Sequence, residues 1–213
     1  ATAHVIARAA HGLADDFRKN GHDLKKLIRT IATSYVYGLS SLPNGRNVAD
    51  TRNHSRHYRQ RLRAEVLLDA VSDVTGVASS FRDYPDIKRA IKLPNEQGQS
   101  DFLDMFGRSR RTTPCECETS LAPNLPQVLY LMNSDELQRK LSDKNGYIAQ
   151  QTKPGKTTQQ TVEEMFLRTF SRPPSAAEFQ RATGLIENSK NRRESLEDIL
   201  WALMNSNEFL FNH

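Results

Sequence analysis

Between Ser55 and Val74 the chain is apolar around so much of a helical cycle that the segment belongs at the centre of a helical fold. Leu62, Val66, Ala70 and Val74 form one row at spacing four, and Leu67, Leu68 and Val71 widen it. Gly76 suits the left-handed position that closes a helix. The polar remainder is a narrow stripe, Arg61, Glu65 and Asp69. Charges on a helix buried on most sides must pair or reach a polar cavity, because an unpaired buried charge is costly.

The rest of the chain reads as helices that surround this one. Thr2 to Lys19 places Ile6, Ala9, Leu13 and Phe17 on one face, and Asp23 can cap a second helix with a core face of Leu24, Leu27, Ile28 and Ile31. Ser40 to Asn53 reads as a loop around Pro43 and Asn44-Gly45. Residues Val77 to Gln99 are irregular. Ser100 can cap a short helix through Phe102, Leu103 and Phe106. Pro126 suits the first turn of another, and Ser134 can cap the next, which runs toward Asn145-Gly146. Beyond a hinge at Thr152 to Thr158, Ser175 and Glu178 form a capping box, and Ser195 and Asp198 start a helix. No segment has convincing strand alternation. The expected fold is mainly α, an irregular multi-helix bundle with long loops and little or no sheet. The expected division is residues 1–151, a helical core whose loop-rich middle carries Cys-x-Cys, and residues 159–213, a C-terminal helical subdomain packed on it.

Composition excludes several classes. No apolar run approaches the roughly 20 residues needed to span a bilayer. The start lacks a basic stretch followed by an apolar signal core, so it reads as a cut, with any export signal upstream. Net charge is +5, from 30 Lys and Arg against 25 Asp and Glu. Two clusters concentrate it: Arg52, Arg56, Arg59, Arg61 and Arg63, then Arg108, Arg110 and Arg111. Without a helix-turn-helix, zinc-finger or aromatic stacking motif, the plainer reading is a solvated face with structural ion pairs, which argues against nucleic acid. Gly155-Lys156-Thr157 resembles the end of a phosphate loop, but Gln150 stands where the first glycine belongs.

Three groups of residues could carry chemistry, each with a plainer alternative. His54 and His57 stand three apart near the expected start of the long helix, and Cys115 and Cys117 could add two thiolates to complete a zinc or iron site. The alternative is packed or exposed histidines and cysteines buried or bonded to each other, in a small, strained, reducible ring. Glu65 and Asp69, with Arg61, could line a pocket as acid and base. The alternative is an ion-pair ladder to neighbouring loops. Glu116 and Glu118 could bind metal or pair with Arg110 and Arg111. No Cys-x-x-Cys-His haem attachment site is present.

Several stretches together resemble one family. They are His22-Asp23-Leu24-Lys25-Lys26-Leu27-Ile28-Arg29 with Thr33-Ser34 and Tyr37; Ser55-Arg56-His57-Tyr58; Arg61-Leu62 with Ala64-Glu65 and Asp69-Ala70; Phe102-Leu103 with Phe106-Gly107-Arg108; Cys115-Glu116-Cys117-Glu118; and Trp201-Ala202-Leu203-Met204-Asn205-Ser206 with Glu208-Phe209. The chain is similar to the planctomycete surface-domain family, an uncharacterised C-terminal domain that often follows a cytochrome-c-like domain. That resemblance implies an exported protein, periplasmic or at the cell surface, with haem c on an upstream domain of a larger parent chain and none in this segment. In that setting a redox role for Cys115 and Cys117 is one reading. It brings no established activity or catalytic residues. The tail from Val162 to Phe209 is also similar to a looser theme of secreted and scaffolding proteins: helix, Arg-Pro turn, helix, Ser-x-Glu-Phe.

Three functional expectations follow. The first is a non-catalytic interaction or assembly module whose partners are upstream domains of the same parent and proteins at the cell surface. The second is part of an enzyme or redox subunit whose site is shared with an upstream domain. The third and weakest is polyanion or nucleic-acid binding through the arginine clusters.

Overall fold

The turn that joins the first two helices, α1 (Thr2–Lys19) and α2 (Leu24–Ala32), uses two residues in the left-handed region, Gly21 at φ 65° and His22 at φ 63°. Asp23 then accepts from the N–H groups of Lys25 and Lys26 at 2.9 and 3.1 Å, which satisfies donors that the first turn leaves open. The computed structural model describes residues 2–94, 98, 100–108 and 124–212, and these are mainly helical. The chain forms two compact units, one ending at Arg59 and the other spanning Gln60–Asn212.

In the first unit, α1 and α2 form a hairpin, and the Phe17 ring meets the His22 ring edge-on at 5.1 Å. The loop after α2 is organised by Asp50. Its carboxylate accepts from the Ser55 side chain and from the N–H groups of Arg52, Asn53 and Ser55, and these bonds hold its pKa well below the usual carboxylate range. The core face expected for α2 is not a core face. Leu24, Ile28 and Ile31 are 63%, 64% and 40% exposed, and α2 buries no residue.

In the second unit the central helix starts later than the sequence suggests. β1 (Gln60–Arg61) pairs antiparallel with the C-terminal strand, Gln60 opposite Asn212 and Arg61 opposite Phe211. Leu62 N–H donates to Leu210 O at 2.9 Å. The extended pairing occupies the backbone of residues expected to be helical, so α3 runs only from Ala64 to Thr75. Its buried side chains are Ala64, Leu67, Leu68, Asp69, Val71, Ser72, Val74 and Thr75, while Val66 faces outward. Gly76 closes it at φ 69°.

A 3₁₀ turn (Ala90–Lys92) and helices α4 (Asp101–Met105), α5 (Leu125–Asn133), α6 (Asp135–Leu141) and α7 (Tyr147–Gln151) follow. The 3₁₀ turn, α4, α6 and α7 pack directly on α3. Ser100 and Ser134 cap α4 and α6, and Asn124 with Gln127 forms a capping box on α5. Phe102 and Phe106 stack at 4.5 Å with Tyr130 edge-on to both. A Cβ on Gly146 would stand 3.2 Å from Thr75 O, so glycine lets α7 start against the end of α3.

Helices α8 (Thr158–Phe170), α9 (Ala176–Glu187), α10 (Arg192–Met204) and α11 (Asn207–Leu210) lead into β2 (Phe211–Asn212). Asn191 caps α10, several residues before the expected start at Ser195, because its side chain accepts from the N–H groups of Arg193 and Glu194. Arg168 on α8 donates to the last carbonyls of α3, Val74 O at 2.9 Å and Asp73 O. The Arg-Pro turn has a clear role. Arg172 grips Glu178 at 2.9 and 3.0 Å and Glu208 at 2.6 and 2.7 Å, which ties the starts of α9 and α11 together over the Phe170 ring.

The Arg172 guanidinium holds the Glu178 carboxyl down to about 2, from 4.5. A depressed carboxyl contributes stability in full above pH 4.5, and that stability is lost as pH falls toward 2. Arg172→Ala is expected to cost about 1–2 kcal/mol at neutral pH, because both ion pairs are partly screened by solvent, and to lower Tm by about 2–6 °C. The difference in Tm from wild type should shrink across that acidic window in calorimetric melts. A deficit independent of pH would show that lost packing dominates.

Candidate functional site

Asp69 sits at the middle of α3, 4% exposed, and its carboxylate turns away from the helix. One oxygen accepts from Ala90 N–H at 2.6 Å and the other from Ile91 N–H at 3.2 Å, with Arg89 Nε at 3.5 Å. Asp69 therefore caps the 3₁₀ turn from across the core, where Arg89 at the local cap position offers no side-chain bond. Arg61 is on β1 and is buried. Its guanidinium donates to Phe106 O at 2.9 Å and Leu62 O at 3.1 Å and lies 5.3 Å over the Phe106 ring. Burial pushes its pKa down. Glu65 is half-exposed. Asp69 and Arg61 thus serve different elements, and none of the three lines the clefts described below.

The histidines lie in the loop of the first unit, not on a helix. His54 adopts φ 51°, its N–H donates to the Tyr58 hydroxyl at 3.0 Å, and its ring lies 4.9 Å from the Tyr58 ring. His57 is half-buried and its N–H donates to Ser40 O. Cys115 and Cys117, with Glu116, Glu118, Arg110 and Arg111, lie outside the described residues. Among the described residues, no three His, Cys, Asp or Glu side chains gather as a metal would need.

Two features were missed in the sequence. One is the exposed apolar stripe on α2. Tyr35, Val36 and Tyr37 follow it, 86%, 61% and 65% exposed. The other is a polar cleft of about 400 Å³ in the second unit, with Lys140 of α6 and Ser79 among its lining residues. Lys140 is 5% exposed, and its Nζ lies 2.7 Å from Val77 O and 3.2 Å from each of Ser72 Oγ and Ser79 Oγ. Ser72 Oγ donates to Leu68 O and lies 3.0 Å from Ser79 Oγ. Burial pushes the Lys140 pKa down. Leu137, Lys140 and Leu141 share a helical face, so a lysine within an apolar stripe was the readable signal.

Asp69→Ala leaves the buried Ala90 N–H and the part-buried Ile91 N–H without their acceptor and should cost about 2–3 kcal/mol. Chemical denaturation is expected to show a lower midpoint with an unchanged slope. Full stability in the variant would mean that the 3₁₀ turn holds itself.

Among the described residues, no helix is long and apolar enough to cross a membrane. No curated protein and no solved structure matches the chain. The profile of the PSD1 family, described as a protein of unknown function (DUF1553), matches residues 11–186, and the chain belongs to that family.

Proposed function

We propose that this chain is a helical interaction and assembly module of a larger exported protein, and that the α2 face is where it docks. The observation that carries the reading is the stripe Leu24, Ile28 and Ile31, spaced as a core face and open to solvent. The residues around it are basic, Lys25, Lys26 and Arg29. The surface they fit is an apolar groove with an acidic rim, read as a groove in a helix-binding partner. In this reading the partner is an upstream domain of the same parent chain, at the cell surface or in the periplasm, and haem c sits on such a domain. Residues 159–213 serve as a helical subdomain that stiffens the core. The polyanion reading has less support, because Arg61 is buried against Phe106 and Arg108 is engaged with Asp104 and Gly98 O.

Burying Ile28 should contribute about 1.5–3 kcal/mol, so Ile28→Lys should weaken the complex by roughly tenfold to a hundredfold. Calorimetric titration of this chain against the separately produced upstream remainder of the parent measures it, with the melt of the second unit as a folding control. Equal binding by wild type and variant would sink the α2 assignment. Elemental analysis of the native chain is expected to find no stoichiometric zinc or iron. A full equivalent that disappears in Cys115→Ala or His57→Ala would replace the assembly reading with a metal-centred one.

A further inference from the structure

The geometry points to a second, chemical role in the Gln60–Asn212 unit: Ser79 is the nucleophile and Lys140 the general base of an acyl-transfer site that takes esters or amides of small polar acids. This goes beyond the assembly reading and uses none of its residues.

The argument starts from counting hydrogens in the cluster. A charged lysine has three donors, and Val77 O, Ser72 Oγ and Ser79 Oγ would accept all three. Ser72 would donate to Leu68 O and Ser79 to Ser72. A neutral lysine has two donors and a lone pair. Val77 O and Ser72 Oγ then accept, and the Ser79 hydroxyl turns to donate to Nζ at the same 3.2 Å. Both protonation states satisfy every polar atom of the cluster, and they differ by where the Ser79 proton points. Burial disfavours the charged form and outweighs the Glu136 and Asp69 carboxylates, which favour it from beyond ion-pair distance, while the neighbouring Arg139 charge opposes it further. The state in which Ser79 faces a base is therefore reached at a lower pH than an exposed lysine would need.

The surroundings supply room and polarity. Ser79 and Lys140 line a cleft of about 400 Å³ whose walls include Ser100, Glu136, Arg139 and Asp143. A neighbouring depression of about 660 Å³ shares Glu136 and Arg139, which leaves space for a leaving group. Arg139 suits a carboxylate on the substrate, and Glu136 and Asp143 suit its hydroxyl or amine donors. The step balances simply. Ser79 Oγ bonds to the acyl carbon while its proton passes to Lys140 Nζ. The carbon–oxygen or carbon–nitrogen bond to the leaving group then breaks, and Nζ returns that proton to the departing alcohol or amine. Water, deprotonated by the same Nζ, hydrolyses the Ser79 ester and regenerates both groups. A base so placed contributes on the order of 10²–10⁴ in rate.

The test is covalent labelling of the full chain with a fluorophosphonate and with p-nitrophenyl acetate, followed by peptide mass mapping. One adduct on Ser79 is expected, with a rate that rises with pH to a midpoint below the ordinary lysine value of 10.5. Ser79→Ala should abolish it in a chain that still folds, as a cooperative circular-dichroism melt would show. Lys140→Met should slow labelling by at least about a hundredfold, in line with loss of a general base. If Lys140→Met does not fold, Lys140→Arg, which keeps the charge but cannot accept the proton, should slow it comparably. Absence of an adduct on the folded wild-type chain, or an adduct unaffected by Ser79→Ala, overturns the assignment.

Discussion

Helix α3 buries eight of its twelve residues, so each buried polar group it carries must find its partner in the protein. Much of the second unit answers that demand. Asp69 is met by the N–H groups of the 3₁₀ turn, Ser72 by Lys140 and Ser79, and the terminal carbonyls by Arg168. Each partner arrives on a different element: a turn, α6 with the loop before the 3₁₀ turn, and α8. The hydrophobic burial of α3 gives these contacts no direction of their own. The polar groups fix where the neighbours stop along its length.

The first unit follows a different rule. Its shape comes from local bonds, the Asp23 cap, the left-handed turn at Gly21 and His22, and the Asp50 network. Among the residues whose side chains are described, those bonds set backbone conformation without burying large apolar side chains, and Leu24, Ile28 and Ile31 stay open. Local order with little core of its own is the thermodynamic profile of a segment that gains most of its stability from a partner.

Local chemistry was the readable part of the fold. The caps at Asp23, Ser100, Ser134 and Ser175, the early Pro126 and the closing Gly76 each act within a few residues, and each stands where its spacing places it. The β1–β2 pairing joins residues about a whole unit apart, and no local pattern announces it. It shortened the central helix, and with it the Arg61, Glu65 and Asp69 stripe lost its common face. Periodicity also marked α2 as amphipathic without saying what, if anything, covers it. The Ser79–Lys140 cluster was hidden for a related reason. Its members come from three elements, and only Lys140, set into an apolar stripe, leaves a local trace.

The pairing of Gln60 with Asn212 and of Arg61 with Phe211 has a mechanical consequence. The strands are antiparallel, and the two ends of the unit leave from the same side of the ladder. A pull applied through residues 60 and 212 loads the hydrogen bonds in sequence and not together, as a zipper is opened. The first to go would be Gln60 N–H to Asn212 Oδ1, then the ladder bonds, then Leu62 N–H to Leu210 O. Such a closure yields at low force while the helices around α3 stay folded, and its opening would uncover Arg61 before it disturbs the core.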